Sequence, residues 1–267
     1  MQVRNGMSDV VLTVGPGHTL REAAAAMAAR HVGAATLAGV ITGVLVGGLL
    51  GRVVMRVAGF TAGPGMAGAF TSNGNRVGEI TFEGTAAIVV FVGLASGLAG
   101  GVVYAVIEPW LRRLRPWEGL TFGAWCLAAL GFTVLDPSNL DFRRFDSAPL
   151  NVAMFAALFL VFGVVIALLF DRLRRLISGR SIAARPTEIL AFLALIPAAI
   201  VTVLVLVSIG GLSDPLFPIV LMLGLLIATF ARWRGLPKPV GYAALAAAML
   251  FGAIRTVLAV PQIVAGL

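Results

Sequence analysis

Cysteine, lysine, histidine and tyrosine are nearly missing from this chain of 267 residues, and charge of either sign is scarce. The single cysteine, Cys126, can make no intrachain disulfide. The two histidines, His18 and His31, stand apart from it in sequence and form no metal-ligand pattern. The only lysine, Lys238, falls in a predicted loop, which excludes a Schiff-base chromophore inside a helix bundle. No His-Glu-x-x-His, Gly-x-Ser-x-Gly or phosphate-loop sequence is present. No metal and no cofactor is therefore expected. Charged residues make up 12% of the chain against 59% hydrophobic ones, and the mean hydropathy is +0.99. That balance is far from a water-exposed globular domain. Arg, Asp and Glu punctuate the first thirty residues, so no cleavable leader is expected.

What is present is a series of seven apolar runs, at about 33–51, 86–107, 119–135, 151–170, 187–210, 215–230 and 241–264. About 20 apolar residues cross a hydrocarbon core of about 30 Å. Backbone groups in lipid must bond within the segment, and alternating barrel-type strands are absent. The expected fold class is all-α: a seven-transmembrane-helix bundle (residues 33–267) behind a cytoplasmic segment (1–32) carrying a short amphipathic helix.

Arginine is distributed unevenly between the predicted loops. Fourteen basic residues fall on one side, including Arg112, Arg113, Arg115, Arg172, Arg174, Arg175, Arg232, Arg234 and Lys238, whereas five fall on the other. The acids divide six and six, so the formal charges are +8 and −1. Basic loops remain on the inner side, which predicts a multi-pass protein of a bacterial inner (plasma) membrane. Its N-terminus would be cytoplasmic and its C-terminus extracytoplasmic. Tyr104, Trp110, Trp117, Trp233 and Tyr242 fall near the inner boundary, where aromatic rings gather. The positive charge then reads as a topology signal, with membrane lipids as partners and no nucleic acid. No Asp or Glu falls deep within a run, which argues against proton pumping.

Two runs carry glycine at four-residue spacing: Gly39, Gly43, Gly47 and Gly51 in the first, Gly93, Gly97 and Gly101 in the second. Each series lies on one helix face and permits close backbone approach. The two faces meet each other within one chain, or serve a protein partner or homo-oligomer. Between these runs, residues 69–82 place Asn73-Gly74 among β-formers, which predicts a small extracytoplasmic β-hairpin. Around it stand Arg52, Arg56, Glu79 and Glu83, with Asp141 and Arg143 in the next outer loop. Together they form a candidate ligand-binding face or a salt-bridged lid. Arg255 lies within the last run, where a charge needs a partner, hydration or a route to the interface.

Residues 8–34 read as a strand, a Gly-Pro-Gly turn and an alanine-rich helix with Thr19 and Glu22 as a capping box. This stretch resembles the first half of a CBS motif, a module that pairs to bind adenine nucleotides. One half-motif builds no nucleotide cleft, so the likeness assigns no binding residue. Over residues 51–174 the strings GRVVMRVAG, TSNGNRVGEITFEGT, GGVVYAVIEPWL and LDPSNLDF are similar to a family of uncharacterised bacterial multi-pass membrane proteins. The resemblance implies membrane class and domain extent, with no assigned reaction. The expected role is that of a non-catalytic accessory, scaffold or binding protein acting through the glycine grooves and the outer polar face. The alternative is a transporter or facilitator of a small or lipid-like solute.

Overall fold

A computed structural model of the chain describes residues 20–61, 81–137, 148–178 and 216–265, and every element among them is helical. Helix α1 (Leu20–Thr42) continues through a π-helical stretch (Gly43–Leu50) into α2 (Gly51–Phe60), which makes one rod. A second rod comprises α3 (Phe82–Ala87), a π-helical stretch (Ile88–Leu94) and α4 (Ala95–Leu111). Then follow α5 (Glu118–Val134), α6 (Ala148–Ser178), α7 (Leu216–Trp233) and α8 (Lys238–Ala265). The two π-helical stretches pack on each other, so both rods widen where their glycines meet.

Five of these helical units are long and apolar enough to cross a bilayer: His31–Phe60, Phe82–Leu114, Ala148–Leu176, Leu216–Trp233 and Lys238–Ala265. The sixth, α5, has 17 residues, or about 25 Å of helix. Its flanks are covered by α6 and α8. The described residues thus contain six apolar rods, and the expected run at 187–210 lies outside them. The expected hairpin lies outside them too, except for its last two residues. There Thr81 caps a helix, with Oγ1 accepting from Gly84 N at 3.1 Å, and Phe82 is the first residue of α3. A hydroxyl at the N-cap satisfies a donor that the first turn leaves open, so these two positions begin a helix and do not end a strand. The amphipathic helix expected before residue 33 is also not a separate element, because α1 runs unbroken from Leu20.

Turn chemistry fixes the reversal between α7 and α8. Gly235 takes φ +65°, Gly235 N donates to Arg232 O, and Leu236 N donates to Ala231 O at 2.8 Å. This paired closure requires a left-handed residue just past the helix, which glycine supplies without strain.

The core runs between α1, α4, α5 and α6, with α7 and α8 along one side. Tyr104 lies edge-on to Phe122 at 4.9 Å and to Phe170 at 5.4 Å, and all three rings are fully buried. Tyr104 and Trp110 are therefore interior residues and not members of an interfacial belt. Trp117, Trp233 and Tyr242 remain exposed.

Candidate functional site

The arginine-rich end of the bundle holds the two buried carboxylates among the described residues, Glu108 and Glu118. Glu108 stands in the last turn of α4, one residue beyond the predicted run, and is completely buried. A carboxylate at a helix C-terminus is poorly placed against the backbone dipoles. Arg112, one turn further on, offsets this by donating from Nε to Glu108 Oε1 at 2.7 Å. From α1, His31 donates Nε2–H to the Ala105 carbonyl at 3.1 Å, which requires the proton on Nε2. The same nitrogen lies 3.9 Å from Glu108 Oε2, and the ring meets Phe170 edge-on at 5.2 Å. Glu108 falls just outside the run at 86–107, so the runs alone do not reveal that an acid is buried here. The helix simply continues past residue 107 and takes the side chain inward with it.

A second cluster adjoins the first. Arg115, in the turn before α5, donates from Nε to Glu118 Oε2 at 3.0 Å and from a terminal nitrogen to Asp171 Oδ1 at 2.8 Å. One planar guanidinium thereby joins the start of α5 to the end of α6, a fork that an ammonium group cannot reproduce. The hydrogen bond to Glu118 raises the Arg115 pKa above its ordinary value, so its charge is permanent. Glu118 also occupies the favourable end of its helix. Further stitches tie α8 to the bundle. Tyr242 Oη donates to the Trp110 carbonyl at 3.1 Å, and Trp125 Nε1 donates to the Leu245 carbonyl at 3.2 Å.

The glycine faces of the two rods lie against each other. A methyl group on Gly97 would sit 2.6 Å from the Gly39 carbonyl oxygen, and one on Gly101 would sit 2.7 Å from that of Ala35. Gly43 faces Gly93 and Gly97 just as closely, whereas Gly47 meets the softer Ser96 hydroxyl at 3.3 Å. Gly51 falls outside this seam, since its nearest neighbour is the carbonyl of Val46 in its own rod at 3.7 Å. A second seam, which the sequence reading passed over, sets Gly119 and Gly123 of α5 against Gly163 of α6. The four-residue spacing of Gly119 and Gly123 was its readable signal.

The predicted outer-face residues are dispersed over several elements. Arg52 is half-buried, Arg56 is exposed with its guanidinium 5.2 Å from the Phe60 ring, and Glu83 is exposed in the first turn of α3. Glu79, Asp141 and Arg143 lie outside the described residues. Arg255 places its guanidinium 4.6 Å from the Phe251 ring and 5.6 Å from that of Phe132, so α8 and α5 share its charge between two aromatic faces. Beside it, Thr256 Oγ1 accepts from Phe132 N at 3.0 Å and donates to Gly252 O at 3.1 Å.

No protein-family model matches the chain, and no curated protein or solved structure does either.

Proposed function

We propose that this is a seven-span integral protein of a bacterial plasma membrane, with its arginine-rich loops and N-terminus inside, acting as a non-catalytic binding or accessory protein. The observation that carries the reading is the engagement of the inner carboxylates. Glu108, Glu118 and Asp171 are each held by a guanidinium of the same chain. Two of these pairs tie the turn before α5 to α5 and α6, whereas a general acid or base must be presented to a substrate. Exposed arginines around the cluster suit anionic lipid headgroups as the nearest partners.

The odd number of spans has a topological support. Asp171, near the end of α6, meets Arg115, and the charge of Arg232, at the end of α7, acts on His31. Both helices thus finish at the arginine-rich end. α6 therefore ends and α7 begins at opposite ends of the bundle, and the apolar run at 187–210 has the length of one further crossing. With the glycine faces of the two rods occupied by each other, partners are left with the lateral apolar surfaces and the polar ends.

A second reading, a facilitator of a small or lipid-like solute, draws on Arg255 held between two rings inside the last span. Reporter fusions at 179–186 and at the C-terminus test the topology: cytoplasmic and external signals are expected, and the reverse would defeat it. Native mass spectrometry of the purified protein then tests the role. Retained anionic lipid is expected. Substrate-dependent flux in proteoliposomes that is lost in Arg255→Ala would replace the accessory reading with the facilitator.

A further inference from the structure

The buried polar atoms at the inner end that lack a partner among the described residues include Oε2 of Glu108 and the hydroxyl of Tyr104. Both side chains are fully enclosed, and they stand one helical turn apart on the same face of α4. Native interiors seldom leave such groups unsatisfied, and ordered water is a common solution.

We propose that Glu108 Oε2 and the Tyr104 hydroxyl bind one ordered water molecule between α1, α4 and α6. The chemistry of the surroundings selects a neutral ligand of this size. Oε2 is an acceptor and repels anions. A cation would meet Arg112 and Arg232, whose charges already bear on His31. A water molecule donates to Oε2 and bonds the phenol in either sense. His31, whose Nε2–H is taken by the Ala105 carbonyl, walls the site 3.9 Å from Oε2 without bonding the water. The His31 side chain keeps 17% of its surface exposed, so the water would continue a polar path from the arginine-rich surface to the centre of the bundle.

Radiolytic hydroxyl-radical footprinting of the full chain in lipid nanodiscs tests the site. Radicals generated in bulk cannot reach Tyr104, whereas radicals formed from a bound water label it in place. Phe217, equally enclosed elsewhere in the core, is the dry control. Labelling of Tyr104 at several times the rate of Phe217, corrected for intrinsic reactivity, is expected. Equal protection of both residues overturns the proposal. Tyr104→Phe keeps the ring packing on Phe122 and Phe170 and removes only the hydroxyl. A hydrogen-bonded hydroxyl predicts a fall in Tm of about 2–4 °C. An unchanged or raised Tm is the response of an orphaned group and also overturns the proposal. If the variant does not fold, footprinting of the unaltered protein decides alone.

Discussion

The arginine-rich end of the bundle and the seam that leads away from it are held together by different physics. At that end, charged and hydrogen-bonding side chains from α1, α4, α5 and α6 hold the helices, near enough to water for half-exposed arginines to remain hydrated. Along the seam there is almost no side chain at all. Gly39, Gly43, Gly93, Gly97 and Gly101 bring two backbones into contact, and dispersion with weak backbone contacts supplies the attraction. Lipid tails are as apolar as leucine, so burying more hydrocarbon gains little inside a membrane, whereas close approach does. The same chain therefore uses directional bonds where solvent can enter and surface fit where it cannot.

The largest expected effect comes from filling the seam. Gly97→Leu forces a side chain into the Gly39 carbonyl, where even one methyl is at 2.6 Å from backbone. Overpacking of that kind costs typically about 1–3 kcal/mol, and more where backbone must move. Because both neighbours here are backbone, loss of monodisperse protein on size-exclusion chromatography is expected. Gly51→Ala, in a neighbouring turn with only ordinary contacts, should gain up to about 1 kcal/mol from helix propensity. Opposite signs for the two substitutions would sharpen the contrast; equal tolerance would break it.

At the polar end, Arg112→Leu leaves Glu108 buried without its guanidinium. A stranded buried charge costs about 3–5 kcal/mol, and the lower figure applies because Arg112 is half-exposed and water can partly replace it. The double variant Glu108→Leu/Arg112→Leu should recover most of the loss, since hydrophobic groups often replace a buried ion pair without penalty. Thermal unfolding of the two variants side by side measures the difference. A double variant no better than the single would mean that the pair matters for more than fastening helices.

Some of this was legible in the sequence and some was not, for physical reasons. Hydropathy and four-residue spacing are local properties, so the apolar rods and the glycine faces on 39–47 and 93–101 could be read directly. Whether those faces meet each other is a tertiary fact, which only the close contacts of Gly97 with Gly39 and Gly43 supply. The inner polar cluster escaped because its members are distant in sequence. His31 and Ala105 are 74 residues apart, and Arg115 and Asp171 are 56 apart. The Glu108–Arg112 and Arg115–Glu118 spacings were local, and counting those arginines as topology signals hid their pairing. Tyr104 and Trp110 show the converse error, since proximity to a predicted membrane boundary does not distinguish the lipid-facing side of a helix from the core-facing side.

Arg115→Lys sharpens the comparison by a smaller amount. The turn and the charge survive, but one ammonium cannot hold Glu118 and Asp171 with the same fork geometry. Because Arg115 is nearly half-exposed, the loss should be no more than about 1 kcal/mol. Protease sensitivity of the turn before α5 in nanodiscs reports it directly, and an unchanged cleavage rate would show that the two helices need no common clasp.

The smallest stability effect is expected for Arg255→Ala, a charge that lies far along a span and away from the polar end. Two aromatic faces at 4.6 and 5.6 Å are worth about 0.5–2 kcal/mol to a cation, but removing the side chain also removes the cost of keeping a guanidinium at that depth. The terms oppose each other, so a change in Tm close to zero follows. Arg255→Lys should be worse than Arg255→Ala, since a lysine retains the charge but presents a compact, strongly hydrated ammonium that stacks less well on the two rings. If the alanine variant were instead the less stable of the two, the guanidinium would be making a net contribution to the fold. The C-terminal half of α8 would then be held by a directional contact, and the division between a polar end and a seam held by fit alone would fail there.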